Sequence, residues 1–146
     1  GEEAYDEART IRPGDAVRTF EAPFGRVGLS VCYDLRFPEL YRAMGDCTLM
    51  VVPAAFTYTT GRAHWELLLR ARAVENQCYV LASAQGGHHE NGRRTWGHSM
   101  LIDPWGDIVA QREAEGGGVV IGDIDPARLA AVRQSLPAWR HRVLQG

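Results

Sequence analysis

The stretch GRVGLSVCYDLRFPELYRAMGDCTLMVV, residues 25–52, decides how the chain is read. Val27–Val31 is a short apolar run that ends at Cys32, and charge follows at once in Asp34 and Arg36. A run of this length bounded by such a break reads as a buried strand. Pro38 suits the first turn of a helix running to about Met44, because it has no N–H to leave unpaired, and Gly45 suits the stop. Thr48–Val52, TLMVV, is a second buried strand, closed by Pro53. Strand, short helix and strand in this order form a parallel βαβ unit with a right-handed crossover.

The rest of the chain fits around that unit. TIRPGD, Thr10–Asp15, is a turn by its Pro-Gly pair, Ala16–Phe20 alternates weakly as an edge strand, and PFGR, Pro23–Arg26, is a hairpin turn. Ala54–Gly61 reads as a loop. HWELLLRARAVENQ, His64–Gln77, is the strongest helix, with an apolar stripe of Trp65, Leu68, Leu69, Ala73 and Val74 and with Arg70, Arg72 and Glu75 largely off it. Tyr79–Ala84 is an apolar strand and Gln85–Trp96 a polar loop. Ser99–Ile102 and Ile108–Gln111 pair about the turn DPWGD, EGGG makes another turn, and Val119–Ile124 is a last strand. Asp125 caps and Pro126 opens a final helix to about Gln134, and the tail from Leu136 is extended. The order βαβαβ followed by hairpins predicts a layered α/β fold. Several strands are apolar on both faces, so each needs cover twice. Two helices cover one face; the other calls for a further segment or a partner chain.

Composition narrows the function. The 146 residues are 45% hydrophobic and 23% charged with a formal net charge of -2. That balance describes a soluble globular chain and gives no electrostatic case for nucleic acid or an anionic membrane. No apolar run approaches the roughly 18 residues of a membrane span, and no signal peptide opens the chain. Three cysteines, Cys32, Cys47 and Cys78, suit neither a zinc site nor a disulfide framework, which favours the cytoplasm. All 16 basic residues are Arg; the chain has no Lys. Its polar opening, GEEAYDEART, has no Met and reads as a cut through a larger protein.

Cys32 has two readings. A lone cysteine at a strand end is commonly a small buried hydrophobe. Yet the end of a strand beside a helix start is where open α/β sheets place ligands, and the helix dipole and Arg36 would favour a thiolate there. The Tyr33 backbone N–H, next to the thiol, would suit an oxyanion hole. Glu66 is a second candidate: either a first-turn dipole contact, or a carboxyl raised in pKa by its apolar neighbours Trp65, Leu67 and Leu68. Cys47 and Cys78 read as packing residues, and His64 as shaping the helix start. His88 and His89 lack metal-spaced partners and read as a solvated loop. Asp103–Asp107 is a turn, and Trp96, Trp105 and Trp139 are packing residues.

With VCYDLRFPEL, VVPAAFTYTTGRAHWELLLRARAVENQCYV and GHSMLIDPWGDIV, the chain resembles the nitrilase superfamily of carbon–nitrogen hydrolases, in its deaminated glutathione amidase and ω-amidase branch. The resemblance implies part of an α-β-β-α sandwich, four-layered only on dimerisation or with an N-terminal part. Residues 1–146 would be the C-terminal portion of one such domain. It also implies a Cys nucleophile, a base Glu and a Lys, with a second Glu nearby. The nucleophile falls on Cys32 and the second Glu on Glu66. Tyr33 falls at the oxyanion hole, and Phe56 and Thr57 in the loop lining the substrate pocket. The base Glu and the Lys precede the matching region, so the chain alone is expected to be inactive. The implied reaction releases ammonia from a small-molecule amide, deaminated glutathione or a small ω-amide, with no metal or organic cofactor. Family members commonly form dimers, so the resemblance also implies a homodimer of the full-length protein. Tyr33-Asp34 stands where nitrilases carry Trp-Glu, which disfavours nitriles. A non-catalytic partner-binding relative, and an amidase or carbamoylase with another substrate, are the alternatives.

Overall fold

The structure is a computed structural model that describes residues 16–54, 56–84, 86–88, 94–112 and 121–144. β1 (Arg18–Ala22) is an edge strand, antiparallel to β2 (Gly25–Leu29) through the two-residue turn Pro23-Phe24. Gly25 has a φ of +138°, and a Cβ there would lie 2.2 Å from Thr48 Oγ1, so the turn requires glycine. β2 is parallel to β3 (Leu49–Ala54), and β3 to β4 (Tyr79–Ala84). Between β2 and β3 lie a 3₁₀ turn (Cys32–Arg36) and α1 (Pro38–Ala43), the expected parallel crossover. A single turn, α2 (Tyr58–Thr60), and a π-helical turn (Gly61–Trp65) lead into α3 (Glu66–Asn76). After a separate hairpin, β5 (Gly86–His88) with β6 (Arg94–Trp96), come β7 (Met100–Ile102) and β8 (Ile108–Gln111). The main sheet runs β1-β2-β3-β4-β7-β8. α4 (Pro126–Ser135) follows, its first turn capped by Asp125 Oδ1, which accepts the Ala127 N–H at 2.9 Å.

Residue alternation divides the sheet into two faces. Met50, Val52, Val80, Ala82, Met100 and Ile102 pack beneath α1 and α3 with Tyr41, Trp65 and Leu69 in the main core. Val27, Leu49, Tyr79 and Leu101 form a smaller cluster with Ile124 and Leu129, which come from α4 and the segment before it. On β1 and β2, Phe20 and Leu29 stay 50% and 41% exposed.

Several details differ from the sequence reading: β1 and β2 lie two residues away from the strands expected at Ala16–Phe20 and Val27–Val31, and the expected loop Ala54–Gly61 starts in β3 and holds α2. Pro53 lies inside β3: Val51 points its carbonyl at Ser30, and Pro53, two residues on, faces the same way but beyond the end of β2. No ladder N–H is missed there. α3 starts at Glu66, because the preceding turn is π-helical. Its buried spine is Leu69, Arg72, Ala73 and Asn76, in line with the buried Trp65 of that turn, whereas Val74 is exposed. The segment read as a polar loop holds the β5–β6 hairpin, whose strands carry no apolar alternation to mark them. Residues 121–124 form no strand; the rest of that expected strand and the EGGG turn lie outside the described residues, as does TIRPGD. The tail carries a 3₁₀ turn, Ala138–His141, where extension was expected.

Leu69 is fully buried between α3 and the sheet. Leu69→Ala is expected to lower stability by about 2–5 kcal/mol, read as a shift in the urea midpoint.

Candidate active site

The chain leaves β2 through a fixed point. The Ser30 N–H and Oγ both donate to the Val51 carbonyl, at 3.1 and 3.2 Å, and the Ser30 Oγ accepts the Tyr41 hydroxyl at 2.8 Å. Burial pushes the Tyr41 phenol up to about 12, so it stays a neutral donor at physiological pH. Two residues on, Cys32 has a φ of +46°, uncommon for a residue with a side chain. Asp34 closes the turn: its Oδ2 accepts the Val31 N–H at 2.9 Å and its own N–H donates to the Val31 carbonyl at 3.0 Å. Cys32 thus opens the 3₁₀ turn, and α1 begins only at Pro38. The dipole expected to act on the thiol is not that of an adjoining α-helix. Cys32 is half-buried and packs against the main core.

Arg36 gathers the other elements. Its Nη1 donates to His64 Nδ1 at 3.1 Å, which makes Nδ1 the acceptor. Its guanidinium lies 5.2 Å from the Phe56 ring centroid. Phe56 is buried against Trp65 at 4.9 Å, and the Trp65 indole N–H donates to the His98 carbonyl at 2.8 Å. Thr57 Oγ1 lies 2.6 Å from Thr60 Oγ1, and the Thr57 carbonyl accepts the Gly61 N–H. The Cys32 turn, Phe56, Thr57 and the turn before Glu66 therefore converge on one side of the sheet. Tyr33 is 62% exposed, its ring edge-on to Phe37.

Glu66 is exposed and so is Leu67, so the apolar crowding expected around that carboxyl is not present among the described residues. Glu66 lines a groove of about 400 Å³ on the outer side of α3 with Arg62, Leu67, Arg70 and Val74; Cys32 does not line it. Cys47 and Cys78 are buried, which pushes Cys47 up to about 11 and Cys78 further. Asp103 Oδ1 ties its turn through the Trp105 and Asp107 N–H groups. Trp105 is 52% exposed, against the expectation of packing; the Trp139 ring lies against Arg42 and Arg142. Among the described residues no group of three or more His, Cys, Asp or Glu side chains could hold a metal; His89 lies outside them. Nor is any described helix long and apolar enough to cross a membrane.

Sequence reasoning missed Arg72. Its Nε and Nη2 donate to the Leu35 carbonyl, within the Cys32 turn, at 3.1 and 2.7 Å. The signal was its helical spacing from Trp65, Leu69 and Asn76, overridden by its charge.

A sheet of this order, with a cysteine-bearing turn after β2, is an α/β frame of the nitrilase type. The Carbon-nitrogen hydrolase family matches residues 2–134, and the chain belongs to that family. It is 46% identical over 139 residues to deaminated glutathione amidase from Yersinia enterocolitica, covering 94% of this chain and 48% of that protein. It is 44% identical over 144 residues to the omega-amidase NIT2 of Homo sapiens, covering 97% and 52%. The crystal structure of Saccharomyces cerevisiae Nit3, a member of branch 10 of the nitrilase superfamily, superposes with a TM-score of 0.84 at 36% identity, covering 94% of this chain and 51% of that one. The chain spans about half the length of the curated relatives it matches.

Raised pKa values keep Cys47 and Cys78 protonated near pH 8, while Cys32 sits at a partly open turn. Iodoacetamide at about pH 8 is expected to label Cys32 and to spare the other two until urea is added, as read by peptide mass mapping.

Proposed function

We propose that these residues form the nucleophile-bearing C-terminal portion of an amidase domain that hydrolyses a linear amide. The observation that carries this is Cys32, held at a φ of +46° in a chain of the carbon-nitrogen hydrolase family. The Cys32 thiolate sulfur bonds to the amide carbonyl carbon, the C–N bond breaks, and the nitrogen takes a proton and leaves as ammonia. Water then opens the thioester, giving the carboxylic acid and restoring the thiol. The Tyr33 N–H is assigned to the developing oxyanion. Glu66, which lines the outer groove and not the Cys32 side, is assigned to positioning only through the turn before it, whose His64 meets Arg36 of the Cys32 turn. Phe56 and Thr57 are assigned to the pocket wall. Phe56 would act there from beneath, since its ring is buried.

The Lys and the base Glu implied by the resemblance are assigned to protein outside these residues, which hold no Lys. The 146 residues alone then have negligible activity, because groups that act as a unit fail together. Deaminated glutathione is the preferred substrate, supported by the Yersinia relative; a small ω-amide is the second reading, supported by the nearly equal identity to the human ω-amidase. The full-length enzyme is assigned as a homodimer without a cofactor on the resemblance, and to the cytoplasm on its cysteine usage.

In the full-length protein, Cys32→Ala is expected to lower ammonia release from deaminated glutathione by about a thousandfold or more, with circular dichroism unchanged. Appreciable residual turnover would overturn the assignment. A higher kcat/KM for a small ω-amide would move the substrate to the second reading.

A further inference from the structure

We infer that Arg72 is a positioning residue that holds the Cys32 turn in its reactive geometry; the inference rests on the amidase reading above. Arg72 lies on the buried spine of α3 and is 5% exposed. Two of its N–H groups converge on the Leu35 carbonyl, and Nη1 donates to Glu75 Oε1 at 3.1 Å. Leu35 sits three residues after Cys32 in the same 3₁₀ turn. The guanidinium also lies 5.6 Å from the centroid of the Tyr41 ring, and Tyr41 donates its hydroxyl to Ser30, two residues before Cys32. One side chain therefore restrains the backbone after the thiol directly and the backbone before it through Tyr41.

A side chain that only filled space between α3 and α1 would need no charge, and burying a cation is costly. The planar fork, with two N–H groups on one carbonyl, fixes that carbonyl in direction as well as distance; a lysine ammonium does not. A residue such as Cys32, at a positive φ, persists there only when its surroundings over-determine it. Arg72 supplies that constraint without touching the reacting atoms.

The test uses the full-length enzyme with Arg72→Lys and Arg72→Met. Arg133→Met is the control, since Arg133 also donates to two partly buried backbone carbonyls, those of Gln77 and Cys47, which are not in the Cys32 turn. Both Arg72 variants are expected to lower kcat by about 100-fold while KM changes by less than about threefold, the mark of a misplaced reacting group. Iodoacetamide labelling of Cys32 should slow by about tenfold. Arg133→Met should lower the thermal midpoint and leave both rates alone. If Arg72→Lys keeps parental kcat and labelling, or if Arg133→Met slows both equally, the inference is overturned. It falls equally if neither Arg72 variant folds while Arg133→Met does, which would make Arg72 a structural residue. Turnover surviving in Cys32→Ala would instead sink the amidase reading, whatever the Arg72 variants do.

Discussion

A guanidinium withdrawn from water must have its N–H groups met, and Arg72 meets this demand between the 3₁₀ turn and its own helix. That constraint ties the longest described helix to the 3₁₀ turn that opens at Cys32. It fixes how α3 lies against α1, because Tyr41 of α1 sits under the same guanidinium. The placement of α3 then sets where Trp65 and Phe56 pack, and with them the loop after β3. The site is thus built less by any one loop than by a helix that carries a charge on its inner face.

The parts of this arrangement that follow local rules were legible in the sequence. Pro38 at a helix start, Gly45 at its stop, Asp125 at a cap and the apolar runs of β3 and β4 each answer to a short-range requirement. What escaped depended on tertiary context. Arg72 looked like surface because charge outweighs spacing when a helix is read alone. Pro53 looked like a strand end because nothing in the sequence says that β2 stops short of it. Cys32 was legible as a candidate from its place after an apolar run; its positive φ was not, since it is set by Asp34 and the packing behind it.

The two faces of the sheet are unequally served. One is sealed by α1 and α3, while the other has Ile124 and Leu129 over part of its breadth and leaves Phe20 and Leu29 half in solvent. A strand apolar on both sides is stable only between two layers. That imbalance suits a chain spanning about half the length of its relatives.

Arg133 of α4 donates to the carbonyls of Gln77 and Cys47 and pairs with Asp46, 87 positions earlier in the chain. Gln77, at a φ of +50°, in turn accepts the Trp139 N–H with its side-chain oxygen. These links join the loops at the start of β3 and β4 to α4 and the 3₁₀ turn that follows it. Closing loops of such length costs chain entropy before any contact repays it. During synthesis the two parallel strands therefore leave the ribosome well before the residues that clasp their leading ends. The growing chain must hold its sheet unlatched until α4 arrives, an interval in which open strand edges are exposed to other chains.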